Sequence, residues 1–293
     1  AVERIARRMR GTIENLAIDG EAVTFTMATA TPLDTRNLAL FERSDLFGAP
    51  EIVAEREGGR RHDLRLPVER HRFIFGTDGN GRDLLARMMI GGRISLAIGL
   101  LASLVALVIG VGYGAVSGYL GGRVDMVMMR IVDVLYALPF IFFVILLDTF
   151  FGRNFLLMFL AVGAVEWLDM ARIARGQTLM LKRQEFVQAA VAMGVPTRGI
   201  ILNHIVPNLA GPVIVFVTLL VPRIILIESF LSFLGLGVQE PLTSLGVLIA
   251  EGAKSLQGGA YLIIFPGAML SLLLLSLNIL GDGLRDAFDP RER

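Results

Sequence analysis

Residues 94–118 read Ile-Ser-Leu-Ala-Ile-Gly-Leu-Leu-Ala-Ser-Leu-Val-Ala-Leu-Val-Ile-Gly-Val-Gly-Tyr-Gly-Ala-Val-Ser-Gly, a long run without a single charged side chain. A helix needs about 20 apolar residues to cross the hydrocarbon core of a bilayer. Because lipid offers no partner for a free backbone N–H or C=O group, a run of this kind must be helical. The stretch therefore predicts a membrane-spanning helix, and with it the class of the fold.

Further apolar runs follow this one, separated by short polar breaks. They cover residues 131–151, 155–170, 209–231 and 261–280. Helices buried in a large soluble protein are the alternative interpretation. Five such runs between residues 94 and 280, in a chain that is 54% hydrophobic, argue against it. We therefore predict an all-α integral membrane fold with five spans in this chain.

Basic residues in the short loops predict the orientation of the spans. One side of the membrane holds ten of them if the loop after Gly118, the loop of about 171–208 and the C-terminal tail share that side. These ten are Arg123, Arg130, Arg172, Arg175, Lys182, Arg183, Arg198, Arg285, Arg291 and Arg293. The short loops of the opposite side hold Arg153 and Lys254. The side with ten is predicted to be cytoplasmic, which places the C-terminus inside the cell.

Residues 1–72 are polar and are predicted to form a small external α/β element. Residues 1–17 have helical apolar spacing, residues 22–29 alternate as a strand does, and residues 51–66 predict a hairpin around Gly58-Gly59. The element is either a cap over a transport path or a tethered addition, and both remain open. An external start, five spans and a cytoplasmic end also predict a sixth span upstream of Ala1.

The sequence lacks the residues that several kinds of chemistry require. There is no cysteine, and no two of the three histidines have the i, i+4 spacing of a helical metal site. Neither Lys182 nor Lys254 completes a P-loop, so this chain is not expected to bind ATP in that way. A net charge of +1 gives no field that would favour nucleic acid. No catalytic residue, metal site or cofactor is therefore predicted.

The polar loop of about 171–208 carries the most informative pattern. Its apolar residues on one helical face are Phe186, Ala189, Ala190 and Met193. Gly194 can end that helix in the left-handed conformation, and Pro196-Thr197 can begin another. Two short helices at a fixed angle suit insertion into a groove on a second protein. The alternative is an amphipathic loop that lies on the membrane.

This segment resembles the EAA coupling loop of ATP-binding-cassette (ABC) importer permeases. That pattern is Glu-Ala-Ala, three residues, Gly, nine residues, Ile, one residue and Leu-Pro. The matching positions are Gln188, Ala189, Ala190, Gly194, His204, Val206 and Pro207. Gln188, His204 and Val206 depart from the residue types of the family, while every spacing is kept. With Glu185 and Phe186, this loop is the predicted ATPase-coupling site.

Other segments resemble the peptide and nickel branch of that family. Phe75–Asp83 is similar to its Gly-Thr-Asp-x-x-Gly-Arg-Asp signature. The matching residues are Gly76, Thr77, Asp78, Gly81, Arg82 and Asp83. Residues 118–125, 232–237 and 281–290 are similar to further signatures of that branch. The resemblance covers about 73–293 and is strongest to the C permease subunits of oligopeptide and dipeptide importers.

The resemblance implies a type I ABC importer permease bundle in a bacterial inner membrane, which moves peptides by alternating access. It implies a second permease subunit in a heterodimer, and an extracytoplasmic peptide-binding protein. It also implies two ATPase subunits that bind ATP and Mg²⁺. The coupling loop would transmit closure of the ATPases to the permease, with His204 as a packing and hydrogen-bonding residue.

Charges within or near the spans are candidates for the transport path, because a charge at mid-bilayer should face protein or water. They are Asp133, Asp148, Arg223 and Glu228, with structural pairing as the alternative role. A proton-coupled secondary transporter using such acids is the alternative function, but it predicts internal repeats that we do not find. An intramembrane enzyme is a further alternative that lacks a nucleophile–base or metal constellation.

Small residues recur every four positions along one face of the first span. They are Ala102, Ala106, Gly110, Gly114 and Gly118. This spacing predicts close helix packing inside the bundle rather than a seam with a partner subunit. Prolines at 139, 212, 222 and 266 are predicted to kink the spans that contain them.

Overall fold

The computed structural model describes residues 2–30, 33, 35–56, 58–69, 72–151, 155–239, 242–255 and 259–288. The chain divides into two compact units. The first comprises Ala1–Met89 and Gly252–Phe265, and the second comprises Ile90–Glu251 and Pro266–Arg293. The N-terminal segment of the first unit thus ends at Met89, whereas the boundary drawn from the sequence at residue 72 marks where family-like sequence begins.

The first unit is built on a four-stranded antiparallel sheet in the order β1-β2-β4-β3. The strands are β1 Gly11–Asp19, β2 Ala22–Thr29, β3 Glu51–Arg56 and β4 Arg61–Pro67. The helical segments are α1 Val2–Arg8, a 3₁₀ turn at Thr35–Leu38 and α2 Ala39–Glu42. The predicted strand at residues 22–29 and the hairpin at 51–66 are therefore confirmed.

The core of this unit follows the two-residue period of its strands. Val23, Phe25 and Met27 of β2 are buried on one face, and so are Leu64 and Leu66 of β4. Residues of the two helices complete the cluster: Val2, Ile5, Ala6 and Phe41. Strand alternation and helical spacing thus converge on one small hydrophobic core.

The predicted helix over residues 1–17 is wrong beyond Arg8. Residues 11–19 form β1, which pairs with β2 in a hairpin whose last partners are Asp19 and Ala22. A bulge between Glu14 and Ala17 shifts the register, and Asn15 there has a positive φ of 53°. Residues 11–19 form a strand despite their helical apolar spacing, because they pair along the edge of β2.

Helices make up the second unit, and three of them, α3, α11 and α12, extend into the first. They are α3 Leu84–Leu120, α4 Gly122–Tyr136, α5 Phe140–Phe151, α6 Phe155–Leu181, α7 Glu185–Ala192, α8 Thr197–Ile200, α9 Val206–Asn208, α10 Ala210–Phe233, α11 Leu245–Lys254 and α12 Tyr261–Phe288. A π-helical segment, Ile201–Ile205, joins α8 to α9.

Among the described residues, three helices, α3, α10 and α12, are by length and composition able to cross a membrane. They coincide with the predicted spans at 94–118, 209–231 and 261–280, of which the second begins one residue before α10. The predicted span at 155–170 lies within α6, which continues to Leu181, so residues 171–181 are helix rather than loop. The count of five spans stays a prediction.

The predicted span at 131–151 is not one helix. It is divided between α4, which ends at Tyr136, and α5, which begins at Phe140. Pro139 lies in the break, where it offers no N–H and disfavours helical geometry at Leu138. The sequence predicted a kink here, and the structure has a complete interruption.

The small-residue stripe of α3 packs against α6. Ala102 and Ala106 are fully buried. A Cβ added at Gly110 would lie 2.5 Å from Cβ of Met170, and one at Gly114 would clash with the carbonyl oxygen of Ala171. The stripe therefore brings two helix backbones together inside the unit, as its spacing predicted.

This contact gives a matched pair of substitutions. We expect Gly114→Ala to lower the free energy of unfolding by about 1–3 kcal/mol, because its methyl group would press on the backbone of α6. Gly112→Ala is the control, since nothing lies within 4 Å of a Cβ at that position. Unfolding of the purified proteins in detergent measures both. Equal stability of the two variants would contradict the packing role.

Candidate functional site

The predicted coupling loop has an inner and an outer face. Val187 and Ala190 of α7 are buried. Phe186 is 42% exposed and Met193 is 76% exposed, and Ala189 is exposed beside them. Of the four residues predicted to share one face, Ala190 therefore belongs to the inner face. The other three form the outer face, which is apolar and uncovered in the isolated chain.

Gly194 ends α7 in the left-handed conformation, with φ of 78°. The amide of Val195 donates to the carbonyl of Ala190 at 3.1 Å, and the amide of Gly194 donates to the carbonyl of Val191 at 3.0 Å. This pair of bonds is a Schellman motif, which satisfies the last carbonyls of the helix. Pro196 then precedes α8, as the sequence predicted. The bend is thus fixed by hydrogen bonds rather than left as a flexible loop.

The inner face of the bend is anchored to the membrane helices. Val187 and Ala190 join one hydrophobic cluster with residues of α3, α6, the π segment and α10: Val111, Ala115, Met170, Ala174, Ile201, Ile205 and Val213. Two polar contacts add to it. Gln188 Nε2 donates to the carbonyl of Lys182 at 2.8 Å, and Lys182 Nζ donates to the carbonyl of Tyr119 at 2.6 Å. Force applied to the bend therefore reaches α3 and α6 through packed contacts.

The remaining residues of the predicted coupling site surround this bend. Glu185 is exposed in the first turn of α7, where a negative charge is favourable. His204 is half-buried in the π segment, and its carbonyl accepts a bond from Asn208 Nδ2 at 2.6 Å. Pro207 lies in the first turn of α9 and is exposed. All the residues of the predicted coupling site thus lie in the segment from α7 to α9.

An ion pair that sequence reasoning missed braces the same end of α6. Arg175 donates from Nε and Nη2 to the two carboxylate oxygens of Asp125, at 2.5 and 2.6 Å, and Ser117 Oγ donates to Asp125 as well. The hydrogen bond from Arg175 is the main cause that lowers the pKa of Asp125, against a smaller effect of burial. The segment around Asp125 was recognised from sequence, but nothing local indicated a partner fifty positions later.

The Gly76–Asp83 signature forms a tight loop around one carboxylate. Asp78 Oδ1 accepts the backbone amides of Asn80 and Arg82, at 2.7 and 3.0 Å. Its Oδ2 accepts Arg82 Nε and Arg87 Nη1, both at 2.7 Å. Burial alone would raise the pKa of Asp78, but the bond from the Arg82 amide and the two guanidinium charges outweigh it and lower the pKa.

The other signature residues shape this loop and begin α3. Gly76 and Gly81 have φ of 74° and 81°, which favour glycine. The carbonyl of Thr77 accepts a bond from the Tyr261 hydroxyl at 2.9 Å. Asp83 Oδ1 accepts the amide of Leu85 at 2.9 Å and so caps the N-terminus of α3. The signature residues thus form a hydrogen-bonded loop at the N-terminus of α3, which is a structural role.

We expect Asp78→Asn to destabilise the first unit by about 3–5 kcal/mol, since a buried carboxylate between two guanidiniums is removed. Because the folded pKa is depressed, the wild-type contribution is present above the unfolded pKa of about 4 and is lost as pH falls through the lower folded value. The difference between wild type and variant in resistance to proteolysis of residues 1–89 should be large at pH 6 and should shrink below pH 4. Exposed Asp19→Asn is the control. A difference that does not depend on pH would contradict this role.

Glu228 in α10 is fully enclosed. Ser232 and Ser244 donate to its Oε1 at 2.7 and 2.6 Å, and Ser95 donates to its Oε2 at 3.1 Å. The hydroxyls of Ser95 and Ser244 in turn accept the amides of Leu245 and Val247 in the first turn of α11. Glu228 therefore ties α3, α10 and α11 together. This geometry favours the structural alternative over the transport path for Glu228.

We expect Glu228→Leu to be less stable than Glu228→Gln by about 1–3 kcal/mol. The glutamine keeps an oxygen for the serine hydroxyls, whereas the leucine leaves buried polar groups without an acceptor. Unfolding in detergent, with co-migration of the intact chain on gel filtration, measures the difference. Equal stability of the two variants would show that the serine cluster does not depend on this acceptor.

Arg223 occupies a different setting, on the wall of a cavity. Its Nη1 lies 3.0 Å from Asp169 Oδ2, and its Nε lies 3.6 Å from Glu166 Oε2. Nearby, Arg172 Nη2 lies 2.9 Å from Asp133 Oδ1 and its guanidinium stacks over the Tyr136 ring at 4.4 Å. Asp133 and Arg223 therefore have partners, and the acids Glu166 and Asp169 were not among the predicted path residues. The side chain of Asp148 lies outside the described residues.

Among the residues that the structure describes, no group of three or more His, Asp or Glu side chains could hold a metal ion. The described geometry is that of a bundle with an anchored bend on one side and paired charges within its helices.

Comparisons with known proteins show which family this chain belongs to. Over 220 residues the chain is 56% identical to the oligopeptide transport system permease protein OppC of Haemophilus influenzae, covering 75% of this chain and 71% of that protein. It is 60% identical over 219 residues to OppC of Escherichia coli K12, covering 75% and 72%. It is 47% identical over 220 residues to the dipeptide transport system permease protein DppC of Bacillus subtilis, covering 75% and 69%.

Solved structures show the same fold at low sequence identity. A chain of the MetNI methionine ABC transporter, in an inward-facing conformation, matches with a TM-score of 0.57 and 16% identity, over 69% of this chain and 96% of that chain. Residues 106–293 match the family described as binding-protein-dependent transport system inner membrane component. The chain therefore belongs to this family of inner membrane transport components and has the type I ABC importer permease fold.

Proposed function

We propose that this chain is a transmembrane permease subunit of an ABC importer that moves peptides across the bacterial inner membrane. The chain would cross the membrane several times, five times within the present sequence, with its C-terminus in the cytoplasm. It would hold no cofactor of its own, and ATP with Mg²⁺ would bind to partner subunits. The oligopeptide and dipeptide permeases to which the chain is similar support peptides as the substrate class.

The observation that carries this proposal is the bend between α7 and α8. Its outer face offers Phe186 and Met193 to a groove on another protein, while its inner face packs on α3 and α6. Such an amphipathic helix in a groove is a common mode of recognition between proteins. An ATPase that grips the outer face would therefore move the membrane helices as one body.

The partners follow from the fold and the family. A second permease subunit would form a heterodimer with this chain, and two ATPase subunits would bind the two cytoplasmic bends. An extracytoplasmic binding protein would deliver peptide to a cavity between the permeases. ATP binding would close the ATPases, and the two permeases would open alternately to the outside and to the inside.

The experiment is reconstitution of the complete importer in proteoliposomes with its ATPases, second permease and binding protein. We expect Gly194→Val to reduce the coupling of peptide uptake to ATP hydrolysis at least tenfold. Valine at φ of 78° is strained, so the backbone of the bend would adopt a different conformation. Gly194→Asn should keep most of the coupling, because asparagine tolerates the left-handed conformation.

Gly176→Val is the matched control, because nothing lies within 4 Å of a Cβ at Gly176 and its backbone is helical. Peptides moved per ATP hydrolysed is the quantity to compare. If Gly194→Val transports peptide with the wild-type ratio, the bend does not couple the two activities. If the wild-type importer moves no peptide, the proposed function itself is wrong.

A further inference from the structure

A cavity of about 310 Å³ lies in the second unit, between α6, α10 and the break that follows α4. Most of its wall is apolar: Leu135, Leu138, Ala164, Val165, Leu168 and Ile227. Tyr136 and three charged side chains, Glu166, Asp169 and Arg223, complete the wall. A concave apolar wall with a few convergent polar groups, at this volume, is typical of sites for small ligands.

The position of Arg223 indicates that this cavity meets water or protein rather than lipid. Arg223 lies near the middle of α10, an apolar helix long enough to cross the membrane, and its side chain is 51% exposed in the isolated chain. A charge at this depth faces lipid only at a cost of about 2.5–3.5 kcal/mol or more. We therefore expect the open side of the cavity to face protein or water once the transporter is assembled.

Two acids and one guanidinium line the cavity, and the two acids differ in their partners. Arg223 pairs closely with Asp169 at 3.0 Å. Its distance to Glu166 Oε2 is 3.6 Å, which is too long for a hydrogen bond. Within the described part of the chain, that buried oxygen has no hydrogen-bond partner, although the Glu166 side chain is only 5% exposed.

A buried carboxylate oxygen without a hydrogen bond is costly, and natural proteins rarely keep one without a purpose. Arg172, the other basic residue of this region, is directed to Asp133 and to the Tyr136 ring. A ligand ammonium group would supply the missing hydrogen bond when the Glu166 side chain turns toward the cavity, since this oxygen is buried. A carboxylate ligand would instead meet two acids and a guanidinium that Asp169 already engages.

We propose that this cavity is a binding site for the amino-terminal ammonium group of the peptide in transit, with Glu166 and Asp169 as its acceptors. The apolar wall of Leu135, Leu138 and Ile227 would hold the first side chain of the peptide. This inference rests on the proposed function and adds to it the residues that hold the substrate between the binding protein and the cytoplasm. Arg223 is a positioning residue that keeps Asp169 in place.

The test measures equilibrium binding of Ala-Ala-Ala and of N-acetyl-Ala-Ala-Ala to the complete permease–ATPase complex in lipid nanodiscs, without the binding protein. We expect the wild-type complex to bind the free-amino peptide at least tenfold more tightly. Glu166→Gln should weaken binding of Ala-Ala-Ala about tenfold and leave the acetylated peptide unchanged, and Glu166→Asp should restore part of the loss. Asp282→Asn, an exposed acid of the same unit, should change neither.

Equal affinity of the wild type for the two peptides would overturn the proposal, and so would an equal effect of Glu166→Gln on both. Uptake by the wild-type importer separates this outcome from failure of the proposed function. If the wild type transports peptides and Glu166→Gln leaves binding unchanged, the site is wrong while the transport function stands.

A second measurement does not require substitution of an acid. The chain has no cysteine, so Ile227→Cys places one thiol of this chain on the cavity wall. We expect a cationic methanethiosulfonate reagent to modify it at least tenfold faster than an anionic one, and Ala-Ala-Ala to slow that reaction. If a basic side chain of the second permease fills the cavity instead, neither reagent will react and peptide will have no effect, which overturns the proposal.

Discussion

The close contact between the backbones of α3 and α6 is the constraint on which the second unit depends. Glycines at 110, 114 and 118 leave no side chain between these helices, so van der Waals contact extends along several turns. That approach holds Arg175 against Asp125 and brings the C-terminal ends of both helices close enough to pack together against Val187 and Ala190. The same helix α6 carries Glu166 and Asp169 to the cavity wall. Close packing of α3 against α6 therefore positions both the bend and the acids of the cavity wall.

Polar residues in the apolar helices fall into two kinds of surroundings. Glu228 is saturated by serine hydroxyls and is buried completely, so it serves as a fastener between helices. Glu166 is also buried, yet its Oε2 has no hydrogen-bond partner among the described residues, and Arg223 Nε lies 3.6 Å from it. Burial alone does not distinguish the two acids. The difference lies in whether donors from the described residues reach both carboxylate oxygens.

Sequence patterns predicted the features that arise from local chemistry. The spacing of small residues on α3 predicted its packing face, and alternation in residues 22–29 predicted a strand. Gly194 and Pro196 predicted the bend after α7. The same patterns failed where the deciding partner was distant. Residues 11–17 have helical spacing but pair with β2, and Pro139 divides one apolar run into two helices. The partners of Asp125, Glu228 and Arg223 lie many residues away, and no single-sequence pattern indicates such pairings.

The serine knot around Glu228 has a consequence for synthesis of the protein. Ser95 is synthesised long before Glu228, and Ser244 is synthesised sixteen residues after it. Until then, the donors that the folded structure gives this acid are reduced to Ser232 on its own helix and Ser95 on α3. The hydrogen bonds around Glu228 can therefore be completed only after the start of α11 has been made and has reached α3 and α10.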